Sequence, residues 1–115
     1  MLKAPRRGVP FRLYVAAENK IIVAVLTQET EDKEYVITYI SRRLIDAETR
    51  YTVTEKLCLS LYYACTKLKY YLLSSTCIVV CQTDVIKHML QKPILSGRIG
   101  KWTYALVEYD LLVNL

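Results

Sequence analysis

The segment from Thr52 to Leu72 constrains the fold of this chain more than any other stretch. Apolar residues recur in it at steps of three and four, the spacing that places side chains along one side of an α-helix. The recurring residues are Leu57, Leu61, Ala64, Leu68 and then Tyr71 or Leu72. Thr52 and Glu55 have the spacing of a capping box, so the helix is predicted to begin there. A helix with one apolar stripe needs a sheet or another helix to cover.

Three β-rich stretches precede the helix and would supply that surface. They are "FRLYVAA" (Phe11–Ala17), "IIVAVLTQE" (Ile21–Glu29) and "YVITYISR" (Tyr35–Arg42). The short polar segments "ENK" and "TEDKE" separate them, which predicts a three-stranded antiparallel meander. Residues 1–10 contain two prolines and a glycine and are predicted to be an irregular lead-in.

The segment after the helix predicts a strand in the sheet interior. "TCIVVCQTD" (Thr76–Asp84) is almost continuously apolar, and a strand that follows a crossover helix is expected to lie parallel beside the first strand. A short helix "VIKHMLQK" should end before Pro93, and another should run through "RIGKWTYALVEYD". The final "LLVNL" could start a fifth strand. The order predicts an α/β fold with a mixed sheet, the meander being followed by α-β-α units.

Charge, cysteine content and hydropathy narrow the function classes. The 115 residues provide one domain, and 16 Lys and Arg against 11 Asp and Glu give a net charge of +5, which favours a polyanionic partner or simply a basic surface. The four cysteines lie in apolar runs without a CxxC pair, so buried reduced thiols are expected. With no signal peptide and no apolar run long enough for a membrane, the sequence predicts a soluble intracellular protein without a membrane partner.

Several catalytic classes find no support in the sequence. His88 is the only histidine, and no nucleophile motif accompanies it, so a Ser or Cys hydrolase triad is not predicted. The sequence also lacks a glycine-rich phosphate loop. The function must therefore be sought in acidic residues, basic surfaces or protein contacts.

Several longer phrases resemble a known family. "FRLYVAA", "AVLTQE", "AETRYTVTEKL" and "QTDVIKHMLQKPILSGRIGKW" are similar, in order and spacing, to the ribonuclease H-like domain of reverse transcriptases from gypsy-type long-terminal-repeat retrotransposons, and most of all to plant copies. The resemblance covers residues 11–115 and implies a ribonuclease H-like fold that ends before the family's last helix. It also implies that residues 1–10 lead in from the polymerase domain of a parent polyprotein.

The resemblance implies a specific chemistry. Active members cut the RNA strand of RNA–DNA hybrids with Mg²⁺ or Mn²⁺, and carboxylates hold two such ions about 4 Å apart. Those members have an Asp on the first strand, a Glu near the start of the first helix, an Asp ending the fourth strand and an Asp in the last helix. The same positions can be identified in this chain.

The acid positions are mostly altered here. The family's phrases place Ala16 and Leu57 at the first two positions, and Asp84 at the third, while the fourth would lie beyond Leu115. Glu55 is two residues from Leu57, roughly 200° around the helix, and fits the capping role better. One remaining acid cannot hold two dications, so the resemblance predicts a degenerate nuclease.

Three acidic or basic side chains have alternative interpretations. If the first strand continues, Glu18 points to the same face as Ala16, about 7 Å farther along, and could serve with Asp84 as a metal ligand. Asp84 also suits the N-cap of the following helix. His88 is more often a surface residue than a ligand in such a position.

Basic and aromatic residues in the second half predict a nucleic-acid surface. The candidate binding residues are Lys67, Lys69, Lys87, Lys92, Arg98 and Lys101, interleaved with Tyr70, Tyr71, Trp102 and Tyr104. Trp102 and Tyr104 could equally fill the core. The favoured interpretation is a retrotransposon-derived domain without hydrolysis that retains binding to RNA–DNA hybrids. The alternatives are an active metal-dependent hybrid endoribonuclease, and a protein-interaction module that uses its open strand edge and tyrosines.

Overall fold

The computed structural model describes residues 4–80, 102, 109 and 111–114 of the chain. Its strands are β1 (Phe11–Ala17), β2 (Ile21–Thr30), β3 (Lys33–Arg43), β4 (Cys77–Val80) and β5 (Leu111–Asn114). Its helices are α1 (Asp46–Thr49), α2 (Val53–Lys67) and α3 (Lys69–Leu72). Within these ranges no helix combines the length and apolar character that crossing a membrane requires.

The first three strands form the predicted antiparallel meander, with a tighter second turn than expected. Glu31 and Asp32 have φ angles of 55° and 62°, so they form a two-residue turn of the kind that matches the twist of a hairpin. The flanking strands consequently extend to Thr30 and from Lys33. Thr27 pairs with Val36 and Leu26 with Thr38, which leaves Ile37 as an extra residue in a β-bulge.

The remaining strands complete a five-stranded mixed sheet in the order β3-β2-β1-β4-β5. β4 lies parallel beside β1, as predicted, and the predicted fifth strand is present as β5, parallel to β4. The helices predicted for "VIKHMLQK" and "RIGKWTYALVEYD" fall outside the described residues, apart from Trp102 and Tyr109 in the second segment. Trp102 is helical.

The sheet has two faces with different burial. The inner face carries Phe11, Leu13 and Val15, all buried, and α2 packs against it. The predicted helical stripe is confirmed, since all of its leucine and alanine members are buried: Leu57, Leu61, Ala64, Leu68 and Leu72. The outer face carries the alternate residues of the same strands, such as Arg12, Tyr14 and Ala16, which are half-buried or exposed.

The helix predicted to run to Leu72 is interrupted at Leu68. Leu68 has φ −104° and ψ 21°, and its carbonyl oxygen accepts hydrogen bonds from the N–H groups of Tyr71 and Leu72 at 3.0 and 3.1 Å. After this break Leu72 is buried, while the Tyr71 ring contacts Phe11 edge to face at a centroid distance of 6.2 Å. The periodicity persists across the break, which is why sequence alone shows one helix.

Three of the four cysteines are buried, reduced thiols, as expected: Cys58, Cys65 and Cys77. Burial raises the pKa of the Cys65 thiol far above its ordinary value and that of Cys77 to about 12. Both thiols are therefore protonated and unreactive at neutral pH. Cys81 lies outside the described residues.

Over its described residues, 4–10, the lead-in has no regular secondary structure, as predicted, yet it is fixed to the sheet. Gln28, only 2% exposed, accepts a hydrogen bond from Arg6 N at 2.8 Å and donates to the carbonyl oxygens of Arg6 and Val9 at 3.1 and 3.0 Å. The hydroxyl of Ser75 also donates to the Val9 carbonyl oxygen at 3.3 Å. The Gln28 amide is thus satisfied by the backbone of the lead-in.

Candidate functional site

The position that the resemblance assigns to the first metal-binding aspartate lies near the end of β1. Ala16 pairs with Val23 and is exposed, whereas Val15 beside it is buried. Side chains alternate along a strand, so Ala16 points to the outer face. Its methyl group has no electron pair to offer a cation. This position supplies no metal ligand.

The second acid position lies in the core beneath α2. Leu57 is 7% exposed and belongs to the same buried cluster as Val15 and Ala24. Nearby Glu55 performs the predicted capping role. Its N–H donates to Thr52 Oγ1 at 3.1 Å, and its Oε1 accepts from Thr52 N at 3.2 Å. The capping box is confirmed, and the Glu55 carboxylate is engaged at the helix start.

Glu18 follows the last residue of β1. Its N–H donates to the Ile21 carbonyl oxygen at 2.8 Å and closes the β1–β2 turn. Strand alternation therefore stops at Ala17 and does not place Glu18 on the face of Ala16. Its role as a metal ligand stays a prediction. In the part of the chain that the structure describes, no three His, Cys, Asp or Glu side chains form a group suited to a metal ion.

The rest of the predicted site lies where the structure gives no description. These residues are Asp84, Lys87, His88, Lys92, Arg98, Lys101 and Tyr104. Their suggested roles in metal binding, helix capping and nucleic-acid contact remain predictions.

Lys67 and Lys69 are the two predicted nucleic-acid contacts that the structure describes. Both are exposed and flank the break between α2 and α3. The Lys67 ammonium lies 5.7 Å from the ring centroid of Tyr63, a cation–π contact. Tyr70, next to Lys69, is 91% exposed. This junction therefore presents two cations and an open aromatic ring, groups that suit a nucleic-acid strand.

Trp102 fills a gap in the core, which was one of its two predicted roles. It is half-buried and packs against the cluster of Ile22, Leu44 and Leu59. Its ring centroid lies 6.1 Å from that of Tyr51 and 6.2 Å from that of Tyr62, with which it stacks. These contacts support a packing role for this side chain.

A polar network on the outer face was not foreseen from the sequence. Arg12 forms ion pairs with Glu29 at 2.8 Å and with Glu34 at 3.8 Å. The hydroxyls of Tyr14 and Thr27 donate to Glu34 Oε2 at 2.5 and 2.8 Å. The hydrogen bond to Glu34 raises the pKa of Tyr14. Glu29 and Glu34 are directly opposed across β2 and β3, so Arg12 offsets a repulsive pair.

A second ion pair, also missed, joins β3 to α1. Arg42 Nη2 lies 3.0 Å from Glu48 Oε2, and Glu48 Oε1 accepts from Ile45 N at 3.0 Å. The Arg42 guanidinium also lies 5.4 Å from the ring centroid of Tyr63. The only sequence signal is the three-residue spacing of Ile45 and Glu48 at a helix start. Both networks have structural roles, because each carboxylate already has a cation beside it.

Comparison with known proteins identifies a family that the sequence matches. Residues 7–109 match the family described as the RNase H-like domain found in reverse transcriptase. The chain is also 29% identical, over 102 residues, to the retrovirus-related Pol polyprotein from transposon opus of Drosophila melanogaster. That alignment covers 88% of this chain, which spans only 10% of the polyprotein.

Solved structures share the fold. The foamy viral protease-reverse transcriptase dRH in complex with double-stranded DNA has a TM-score of 0.77 at 15% identity, covering 98% of this chain and 20% of that one. The foamy viral protease-reverse transcriptase in complex with an RNA/DNA hybrid has a TM-score of 0.68 at 18% identity, covering 96% and 16%. The predicted ribonuclease H-like fold is thereby confirmed. With the family match spanning residues 7–109, the chain belongs to the RNase H-like domains found in reverse transcriptases.

Proposed function

We propose that this chain is a catalytically degenerate RNase H-like domain of a gypsy-type retrotransposon reverse transcriptase, closest to plant copies, that still binds nucleic acid. In this proposal residues 11–115 form the domain, and residues 1–10 lead in from the polymerase region of a parent polyprotein. The similarity to a transposon Pol polyprotein supports that parentage.

The observation that carries the loss of catalysis is Ala16. An exposed methyl group near the end of β1 stands where active relatives have an aspartate. The apolar, buried Leu57 and the capped Glu55 add no replacement. Two dications bring four positive charges, which several carboxylates must offset. The residues present at these positions therefore do not fit a two-metal centre.

Retained binding is supported by the cations at the junction of α2 and α3. Lys67 and Lys69 are exposed, and the whole chain carries a net charge of +5. The related foamy viral reverse transcriptase has been solved with double-stranded DNA and with an RNA/DNA hybrid. Lysine contacts to phosphates would recognise the backbone of such a duplex without reading its sequence.

The cleavage test uses an end-labelled RNA–DNA hybrid with Mg²⁺ or Mn²⁺. We expect no cleavage by the unmodified chain above a protein-free blank. A double variant, Ala16→Asp with Leu57→Glu, restores two acids and shows whether their loss limits activity, provided that thermal melting shows it folded. Cleavage by the unmodified chain that disappears in Asp84→Ala would contradict the proposal and favour an active hybrid endoribonuclease.

The binding test measures retention of the same hybrid on filters between 50 and 200 mM salt. We expect affinity to fall with salt, and Lys67→Gln with Lys69→Gln to reduce the logarithmic salt slope by about 0.9 for each phosphate that is no longer neutralised. Lys20→Gln, an exposed lysine in the β1–β2 turn, is the matched control. Salt-independent retention, or an equal effect of Lys20→Gln, would count against this binding surface.

A further inference from the structure

A cavity of about 580 Å³ lies between the lead-in and α3. Its walls come from Pro5–Gly8 on one side and from Tyr70, Tyr71, Ser74 and Ser75 on the other. The volume is within the range of small-molecule sites. Phe11, at the start of β1, also lines the cavity, whereas Ala16 lies five residues along the strand, about 16 Å away. The cavity is therefore separate from the altered acid position on β1.

The lead-in wall of the cavity is held in place before any ligand binds. Its backbone at Arg6 and Val9 is hydrogen-bonded to the buried Gln28 side chain. Gly8 provides a turn at φ +78°, a conformation that favours glycine. Because these hydrogen bonds fix the backbone, a ligand there would meet a smaller ordering cost than on a free chain end.

Two cations on this wall are available to a ligand. The side chains of Arg6 and Arg7 are exposed and line the cavity. Over the residues that the structure describes, neither guanidinium forms an ion pair, in contrast to Arg12 and Arg42. Two adjacent guanidinium groups are well suited to the oxygens of a phosphate.

The opposite wall offers an aromatic surface. Tyr70 is 91% exposed, which is unusual for so large a ring. Tyr71 differs, since its ring is half-buried against Phe11. The open ring of Tyr70 can therefore receive a flat group, as the stacking residues of single-strand binding proteins do.

The serine hydroxyls restrict which groups of a ligand can bind beside them. Ser74 Oγ donates to the Tyr71 carbonyl oxygen at 2.6 Å, and Ser75 Oγ donates to that of Val9 at 3.3 Å. Each hydroxyl has one proton and thus remains only an acceptor. A phosphate must then be held by the arginines, while the serine oxygens can accept from an N–H or O–H of a base or sugar.

We infer that this cavity binds one nucleotide of a single nucleic-acid strand, with its phosphate at Arg6 and Arg7 and its base stacked on Tyr70. An acidic peptide would satisfy the arginines but would bring no flat ring for Tyr70. The inference goes beyond the proposed function, because it concerns a single strand at the start of β1 and does not depend on hybrid binding by Lys67 and Lys69.

The test is fluorescence anisotropy with a labelled twelve-nucleotide oligo(dT) and the full chain. Tyr70→Ala should weaken binding about fivefold or more, whereas Tyr70→Phe should keep the affinity, since stacking needs only the ring. Arg6→Gln with Arg7→Gln should reduce the salt slope by about 0.7 for each phosphate that the arginines neutralise in the unmodified chain. Tyr39→Ala and Arg43→Gln, exposed positions on β3, are the matched controls.

The outcomes separate this inference from the proposed function. An effect of Tyr70→Ala no larger than that of Tyr39→Ala, or an unchanged salt slope in the arginine variant, would overturn the nucleotide site. Either result leaves the hybrid experiment with the lysine variants intact. Conversely, Tyr70-dependent binding of oligo(dT) without any retention of the hybrid would support the site and contradict the proposed hybrid binding.

Discussion

The inner and outer faces of the sheet are stabilised by different interactions. Leu13 on the inner face and Leu61 on α2, which packs against that face, are fully buried, and their contribution comes from removing apolar surface from water. On the outer face Arg12 and Glu34 pair while about a third of each side chain stays exposed, and Tyr39 is 63% exposed. The comparison indicates that the inner face fixes the fold, whereas the outer face tolerates change.

The largest expected effect comes from a deletion in the core between the inner face and α2. Leu61→Ala should lower the free energy of unfolding by about 2–5 kcal/mol, because the side chain is 0% exposed and leaves a cavity. The outer-face variant Val36→Ala, at a side chain that is 40% exposed, should change it by about 0.5 kcal/mol or less. Urea denaturation measures both. Equal losses would remove the distinction between the faces.

The pH dependence of stability should also differ between the faces. Burial raises the pKa of Cys77 to about 12 from an ordinary 9.0. Above pH 9 the thiol of Cys77 loses its proton in the unfolded chain but keeps it in the folded chain. The free energy of unfolding therefore has its full value below pH 9 and falls between pH 9 and pH 12, by up to about 1.4 kcal/mol per pH unit. Urea denaturation between pH 8 and 10 should show a shallower decline in Cys77→Ala.

The outer-face control for this pH experiment is Tyr14→Phe. Glu34 raises the pKa of Tyr14, but the phenol lies at the surface, where solvent screens the interaction. The variant should keep almost the full decline of the unmodified chain. A decline as shallow as that of Cys77→Ala would show that surface titration dominates.

An intermediate effect is expected at the start of the helix that covers the inner face. Thr52→Ala removes the acceptor for Glu55 N and should lower stability by about 1 kcal/mol. Thr66→Ala near the end of α2 is the control, since its hydroxyl only donates to the Tyr62 carbonyl oxygen at 2.9 Å. Chemical denaturation of both variants measures the difference. A loss at Thr66 as large as at Thr52 would argue against a specific cap effect.

The smallest effect is expected in the outer-face network. Glu34→Gln should lower stability by about 0–1 kcal/mol, and less in high salt, because the ion pair is exposed. A double-mutant cycle with Arg12→Gln, measured at low and high NaCl, gives the coupling free energy of the ion pair. A coupling above about 2 kcal/mol that is insensitive to salt would mean that the outer face contributes to the fold as strongly as a buried network.

The parts of the fold that sequence predicted correctly depend on near neighbours. The capping box of Thr52 and Glu55 involves residues three positions apart, and the stripe through Leu57 and Leu61 repeats within one helix. The outer network instead joins Arg12 and Glu34 from β1 and β3. Such an ion pair depends on the register of three strands, including the bulge at Ile37, which local patterns do not specify.

The candidate sites likewise depend on information that local sequence patterns do not contain. Ala16 and Leu57 were identified by resemblance to a family, since neither residue carries a chemical signal of its own. The Tyr70 cavity was missed because "PRRGVP" and "LLSST" each resemble ordinary loops. Long-range hydrogen bonds place these two segments together, since Gln28 holds the lead-in on β2 and Ser75 joins Val9 to the chain after α3.

The bulge at Ile37 also affects how readily copies of this chain can associate through the edge of the sheet. Among the described strands β3 is an edge of the sheet, and the backbone groups of an edge strand that point away from the sheet are a template on which another chain could add. Because Ile37 interrupts the regular hydrogen-bonding pattern, that edge is divided into shorter runs on either side. The residue that fills the core from the bulge, at 4% exposure, thereby also opposes the growth of fibres from one molecule to the next.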